Sequence, residues 1–245
     1  KIVDSGDEEY LDRAWFHLAR SIFSKGKYDL ALFEFKNFLN RCKTNSLAAE
    51  SRYWMGESYY HMPDYPNAIE EFRRYISVAG ETELAQNSHD RIGVIYLDQK
   101  RYDEAIIEWE AASTKSQDLN RNNLRQYWIG DALYRKGKYD EALQKLAPVA
   151  TVIIDPKINA MVNMVLGRIY QKKGDHQKAL LMFNAIPAAI IKEAPFADVQ
   201  YFKARSSIRV GQRIQARALL ETFIAGSKDS RWRSNAQYEL GSILV

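Results

Sequence analysis

The octet YDEAIIEW at residues 102–109 has three close relatives elsewhere in the chain. They are YDLALFEF at residues 28–35, YPNAIEEF at residues 65–72 and YDEALQKL at residues 139–146, so each copy starts 37 residues after the one before it. Self-similarity at a fixed period of this size is typical of proteins built from stacked copies of one supersecondary unit. We therefore predict a repeat architecture.

Two columns of small residues keep this period along the chain of 245 residues. One is the alanine inside the octet: Ala31, Ala68, Ala105, Ala142, Ala179 and Ala216. The other lies twelve residues earlier: Ala19, Gly56, Gly93, Gly130, Gly167, Ala204 and Gly241. Because both columns hold the period without slippage, the whole chain is predicted to be one array.

Apolar residues inside each repeat follow a helical period. In the first repeat Trp15, Ala19 and Ile22 share one helix face, the segment SKGKYD interrupts the pattern, and Ala31 and Phe35 resume it. Each repeat is therefore predicted to be a helix, a tight turn and a second helix. We predict a single domain spanning residues 1–245, with thirteen helices and no strand of consequence. Its repeats cover about 12–46, 47–83, 84–120, 121–157, 158–194 and 195–231, with a final single helix at 232–245.

The turn and the octet have separate structural roles. Glycine occupies the turn in four repeats (Gly26, Gly137, Gly174 and Gly211), where a residue without Cβ takes positive φ readily. Because Pro63 and Lys100 take that place in the other two, we expect those turns to close differently. The octet alanine is expected where the two helices of a repeat cross closely, with the bulky residue four positions later filling the adjoining space.

The repeat resembles the tetratricopeptide repeat, whose pattern is W-x2-L-G-x2-Y followed by A-x3-F. The second repeat shows it as Met55, Gly56, Tyr59, Ala68 and Phe72. The resemblance implies an all-α fold, a right-handed α-solenoid of tetratricopeptide-like hairpins with a 37-residue period. It also implies a non-catalytic scaffold whose first helices line a concave groove that binds a partner protein or peptide.

The sequence of long repeats such as AESRYWMGESYY, residues 49–60, is also similar to that of repeats in bacterial envelope proteins. The closest in style are the lipoprotein of the outer-membrane barrel-assembly machinery and the periplasmic Tol-Pal coordinator. This resemblance implies a periplasmic or outer-membrane-associated location and a role in an envelope assembly or maintenance complex. A cytoplasmic adaptor of the same repeat family is the alternative.

Aromatic and charged residues recur on the first helices, opposite the leucine and glycine stripe, at i, i+4 and i+7 spacing. Aromatic and arginine side chains of this kind anchor many protein interfaces. The predicted groove residues are Phe16, Arg20, Tyr53, Glu57, Tyr60, Tyr127, Asp131, Tyr134, Arg168, Tyr201, Arg205 and Tyr238.

Nothing in the sequence predicts catalysis, a metal site or a cofactor. The four histidines fall in different repeat columns, Cys42 is the single cysteine, and no phosphate-binding or nucleophile motif is present. The net charge of +4 is mild, and acidic residues interrupt each candidate basic stripe. We expect no nucleic-acid partner, although an RNA-binding helical-repeat protein remains the rival class.

Three further expectations concern apolar stretches. The connections APVATVIIDP at residues 147–156 and IPAAIIKEAP at residues 186–195 are unusually apolar. They are expected either to tuck against helices or to form an exposed edge. Leu240, Ile243 and Leu244 have no following helix to cover them, which predicts a longer native chain or self-association through an uncapped end. No apolar run approaches the roughly 18 residues of a transmembrane segment.

Overall fold

The computed structural model describes residues 5–42, 46–114, 117–152, 155–191, 196–226 and 231–244. These residues are almost entirely helical and contain no strand. The helices are α1 Ser5–Ser24, α2 Tyr28–Arg41, α3 Ser46–His61, α4 Tyr65–Ala79, α5 Glu83–Asp98, α6 Tyr102–Ser113, α7 Leu119–Lys136, α8 Tyr139–Ala150, α9 Pro156–Lys172, α10 His176–Asn184, α11 Ala188–Ile191, α12 Val199–Arg209, α13 Arg213–Gly226 and α14 Arg233–Leu244, with a 3-10 turn at Phe196–Asp198.

The thirteen predicted helices are all found among the described residues, and α11 is an addition. Its residues belong to the second apolar connection, where α10 ends at Asn184 and Pro187 cannot continue the helix because it lacks an N–H group. The four-residue α11 follows, and Ile186 and Ile190 on either side of Pro187 are buried in the core. This connection therefore tucks inward, while residues 192–195 lie outside the described part.

The first apolar connection behaves differently. Pro148 lies in the last turn of α8, which continues only to Ala150. Val152 is 44% exposed, and Ile153 and Ile154 lie outside the described residues. The described part of this connection therefore lies mostly at the surface, apart from Val149, which is buried.

The two small-residue columns lie where the helices of each hairpin cross. The octet alanines are fully buried, and so are the bulky residues four positions later. Opposite them, a Cβ built on Gly93 would lie 2.4 Å from Trp109 Nε1, and one on Gly130 would lie 2.4 Å from Leu146 Cγ. The predicted close crossing is confirmed, because a side chain at Gly93 or Gly130 would overlap the bulky residue of the partner helix.

All six turns close in the same way, so the expectation of different closure at Pro63 and Lys100 is wrong. The residue after the turn donates its N–H to the carbonyl five positions earlier: Lys27 to Ile22, Asp64 to Tyr59, Arg101 to Tyr96, Lys138 to Leu133, Asp175 to Tyr170 and Gln212 to Ser207. Pro63 and Lys100 take positive φ values of 28° and 61°, as the turn glycines do. This hydrogen bond satisfies a carbonyl at the end of the first helix whichever residue precedes the donor.

The chain divides into two compact units, residues 1–117 and 118–245, called here the N-terminal unit and the C-terminal unit. In the N-terminal unit α2 packs on α3 and α4 on α5, so each hairpin is joined to the next. In the C-terminal unit α8 packs on α9, α10 on α12 and α13 on α14. Each unit is therefore a stack of hairpins with its own core.

Candidate functional site

Four of the predicted groove rings are in the core. Phe16, Tyr53, Tyr127 and Tyr201 are all buried. The centroid of the Phe16 ring lies 6.0 Å from that of Phe35 on the second helix of its own hairpin. Tyr53 is placed in the same way against Phe72, at 5.9 Å, and Tyr201 against Phe223, at 5.8 Å. The expectation that these rings line an open groove is corrected, because this helix position points at the hairpin partner.

The other predicted residues lie where successive first helices meet, a surface called here the first-helix face. In the N-terminal unit the Arg20 guanidinium of α1 lies 4.6 Å from the centroid of the Trp54 ring of α3. The two residues are 34 positions apart. This spacing is three residues, or about one helical turn, shorter than the repeat of 37. A cation over an aromatic face is attracted by the ring quadrupole.

The same spacing joins α3 to α5 through Glu57. Its buried carboxylate accepts hydrogen bonds from Arg91, 2.7 Å from Nε to Oε1 and 3.0 Å from Nη2 to Oε2. Arg91 also lies 4.8 Å from the centroid of the half-buried Tyr60 ring. Arg91 was not among the predicted groove residues. It lies 34 positions after Glu57, which is the spacing that also joins Arg20 to Trp54.

In the C-terminal unit Asp131 and Tyr134 of α7 face α9. The Asp131 carboxylate accepts a 2.7 Å hydrogen bond from Arg135 Nε. Burial raises the pKa of this carboxyl, and the charge of Arg135 opposes the rise. Arg168 of α9 lies 5.0 Å from the centroid of the Tyr134 ring and 4.9 Å from that of the Phe202 ring, so its guanidinium is held between two aromatic faces.

The last two predicted residues have different surroundings. Arg205 of α12 is half-exposed, and its Nε lies 3.5 Å from Glu239 Oε1 on α14, again 34 positions later. Tyr238 is 78% exposed and is not among the predicted residues that contact a neighbouring first helix. Seven of the predicted residues (Arg20, Glu57, Tyr60, Asp131, Tyr134, Arg168 and Arg205) therefore belong to contacts between first helices or border them.

A cavity of about 440 Å³ opens on the first-helix face of the C-terminal unit and is called here the basic cavity. Its ionisable lining comprises Arg168, Lys172, His176, Arg205, Arg209 and Glu239. Phe202, Ile208 and Trp232 supply its apolar wall. Cavities that bind ligands commonly combine an apolar wall with a few convergent polar groups in this way.

The charges in the basic cavity act on His176. Burial lowers the pKa of this imidazole, and the positive charges of Arg209 and Arg205 lower it further. The ring is therefore biased toward its neutral form, as expected in a site of positive potential. The predicted residues did not include Lys172, His176, Arg209 or Trp232, although Lys172 and Arg209 are 37 residues apart and so share one repeat column.

A larger groove of about 900 Å³ lies between α2 and α4 of the N-terminal unit, above α3. Four of its five charged side chains are paired with each other: Glu71 accepts from Arg52 at 3.2 Å and from Arg74 at 2.6 Å, and Arg74 also pairs with Glu70. The fifth, Lys36, lies over the Tyr59 ring. Internal pairing leaves this groove with little unsatisfied charge for a ligand. The smaller basic cavity is the better candidate site.

The two units also differ in total charge. Residues 1–117 contain 15 lysines and arginines against 20 aspartates and glutamates, a net charge of −5. Residues 118–245 contain 20 against 11, a net charge of +9. The mild net charge of the chain thus conceals a strongly basic C-terminal unit, which favours anionic ligands there.

Within the part of the chain that the structure describes, no group of three histidine, cysteine, aspartate or glutamate side chains is placed to hold a metal ion. No described helix combines the length and the apolar character that crossing a bilayer requires.

Comparison with known proteins extends these observations. Residues 129–197 match the tetratricopeptide repeat, whereas no curated protein sequence matches the chain. Among solved structures, the C-terminal part of a TPR repeat-containing protein from Cytophaga hutchinsonii is 22% identical, with a TM-score of 0.67 over 86% of this chain and 78% of that one. YrrB, described as a TPR protein with an unusual peptide-binding site, is 17% identical, with a TM-score of 0.61 over 83% and 97%.

A third solved structure is PilW, described as a widely conserved type IV pilus biogenesis factor. It is 16% identical, with a TM-score of 0.66 over 96% of this chain and 99% of that one. At this identity the likeness concerns the fold. The chain has the fold of the tetratricopeptide-repeat proteins, and its residues 129–197 match the sequence of the repeat itself.

Proposed function

We propose that this protein is a non-catalytic scaffold that binds a partner polypeptide on its first-helix face. The observation that supports the proposal best is the placement of Arg168, held between the rings of Tyr134 and Phe202 at the rim of the basic cavity. Arginine and aromatic side chains dominate the energetics of protein interfaces. The peptide-binding description of YrrB, which has the same fold, is consistent with this role.

The mixed character of the face favours a polypeptide over a small metabolite. Rings, guanidinium groups and carboxylates meet between successive first helices, as in the Arg20 and Trp54 contact and the Arg91 and Tyr60 contact. A ligand that used several of these positions would need to be extended and would need both apolar and polar groups. An extended or helical peptide segment meets both requirements.

We further propose that the scaffold acts in the bacterial cell envelope, in the periplasm or at the outer membrane. The resemblance of the repeat sequences to those of bacterial envelope proteins supports this location. The likeness in fold to PilW, a pilus biogenesis factor, supports it as well. A cytoplasmic adaptor is the alternative. Fractionation of the source cells with an antibody against the native protein decides between them, since recovery with soluble cytoplasmic markers contradicts the envelope location.

Site-specific photo-crosslinking in the source cells tests the binding face. The photoreactive residue p-benzoylphenylalanine replaces Arg20 or Arg209 on the first-helix face. In matched controls it replaces Ile107 or Leu181, which lie on second helices and are each 63% exposed. We expect defined crosslinks to one partner protein from each of the first two positions, identified by mass spectrometry. Crosslinks to that partner from Ile107 and Leu181 alone would contradict the proposal.

A further inference from the structure

We infer that the basic cavity of the C-terminal unit binds the side-chain carboxylates of an acidic polypeptide segment. The inference rests on the proposed polypeptide-binding function and specifies the chemistry of the partner at this site. Its basis is the combination in one cavity of uncompensated positive charge, a pre-positioned guanidinium group and an apolar wall.

The positive charge in the cavity is largely uncompensated. Within the described residues, no carboxylate oxygen lies within 4.0 Å of a side-chain nitrogen of Arg168, Lys172 or Arg209. The carboxylate of Glu239 is directed at Arg205 instead, at 3.5 Å. In a concave site with apolar walls, unpaired cations of this kind attract anionic groups more strongly than the same charges do on a flat surface.

The orientation of Arg168 and the apolar wall of the cavity together fit a carboxylate that has apolar groups beside it. Arg168 is fixed between two rings, so its planar fork is oriented before a ligand arrives, and such a fork matches a carboxylate with two parallel hydrogen bonds. The Trp232 ring stacks on Tyr201 at 5.3 Å, which makes the apolar wall rigid. The volume of about 440 Å³ lies within the usual range of ligand pockets, about 300–1,000 Å³.

An acidic polypeptide fits these features better than a nucleic acid does. The carboxylate of Glu239 lines the cavity, and the buried Asp131 lies close enough to Arg168 to interact with its charge. Both would repel a continuous phosphate backbone passing over the site. A polypeptide can place single carboxylates beside Arg168, Lys172 and Arg209 and apolar side chains elsewhere.

The test uses the full chain and fluorescein-labelled twelve-residue peptides, with fluorescence anisotropy as the readout. The acidic peptide alternates glutamate with phenylalanine and leucine and is amidated at its C-terminus, so its side chains provide every carboxylate. A second peptide has glutamine in place of each glutamate, and a third is that glutamine peptide with a free C-terminal carboxylate. We expect the acidic peptide to bind at least tenfold more tightly than either of the others.

Two double variants with equal loss of charge locate the site. Lys172→Gln with Arg209→Gln removes two exposed cations from the cavity lining. Arg213→Gln with Arg217→Gln removes two exposed cations from α13, outside the cavity. We expect the first pair to weaken binding of the acidic peptide at least tenfold and the second to change it less than threefold. Circular dichroism checks that both variants fold.

Three outcomes would overturn the inference. The first is equal binding of the acidic and glutamine peptides, and the second is equal weakening by the two double variants, since that indicates nonspecific charge attraction. The third is displacement of the acidic peptide by a single-stranded RNA oligonucleotide at lower concentration than by unlabelled peptide. If any of these occurs while Arg20 and Arg209 still crosslink to a partner, the scaffold function stands and only the acidic specificity fails.

Discussion

Gly93 and Gly241 belong to the same repeat column but have different surroundings. A Cβ on Gly93 would meet the indole of Trp109 at 2.4 Å, whereas one on Gly241 would meet no heavy atom within 4 Å. Gly93→Ala should therefore destabilise the protein by about 1–3 kcal/mol through overpacking. Gly241→Ala should stabilise it by about 0.5–1 kcal/mol, because alanine favours a helix interior. Chemical denaturation of both variants checks this contrast, and changes of the same sign would contradict it.

Lys100 is a second residue whose surroundings set a clear expectation. Its φ of 61° is a conformation that costs an L-residue with a side chain about 1–2 kcal/mol. Lys100→Gly should raise the free energy of unfolding by about 0.5–1 kcal/mol, since glycine relieves the strain but adds entropy to the unfolded chain. Gln99→Gly in the same turn is the control, because Gln99 has an ordinary φ of −78°. Thermal denaturation should show opposite shifts for the two variants.

At the scale of helices, an ion pair between Glu57 and Arg91 joins α3 to α5. Arg91→Met would remove the hydrogen bonds of the buried Glu57 carboxylate and leave it, among the described ionic partners, with the His61 ring at 4.0 Å. We expect a loss of about 1–2 kcal/mol, because a buried carboxylate that loses its hydrogen bonds is costly and Arg91 is partly screened by solvent. The double variant with Glu57→Gln should lose less than the sum of the two single variants.

An exposed pair in the other unit provides the comparison. Arg217 and Glu221 lie four residues apart on α13, and both side chains are half-exposed or more. Arg217→Met should cost less than about 0.5 kcal/mol, since exposed ion pairs contribute little. Urea denaturation of the two methionine variants measures the difference. Equal losses would show that the Glu57 pair contributes no more than a surface contact.

Across the whole molecule, stability should be local because each hairpin packs on its neighbours within its unit. Gly167→Ala tests this, since its Cβ would lie 2.4 Å from Phe183 Cε1. In stacked repeats, stability is approximately a sum of repeat and neighbour contributions. We expect faster amide hydrogen exchange in α9, α10 and α12, with α3 and α4 unchanged. Uniformly faster exchange along the chain would mean that the array unfolds as one cooperative body.

The sequence alone determined the repeat and its hairpins, because the close crossing of two helices requires small residues at fixed positions in each repeat. Gly93 and Ala105 must be small whatever else the repeat contains, so the period of 37 is visible in both of their columns. The turn was only partly predictable. Lys100 adopts a conformation that its residue type disfavours, because the hydrogen bond from Arg101 to Tyr96 closes the helix regardless.

The candidate site was decided by tertiary structure. Helical spacing shows that Tyr53, Glu57 and Tyr60 share a face, but that face borders two neighbours, the second helix of the same hairpin and the first helix of the next. The packing of the helices places Tyr53 in the hairpin core and Glu57 against Arg91 on the next first helix. The basic cavity likewise exists only after α9, α12 and α14 are stacked. Its cations occupy two repeat columns, since Arg205 lies 37 residues after Arg168 and Arg209 lies 37 residues after Lys172, but only the stacking brings both columns to one cavity.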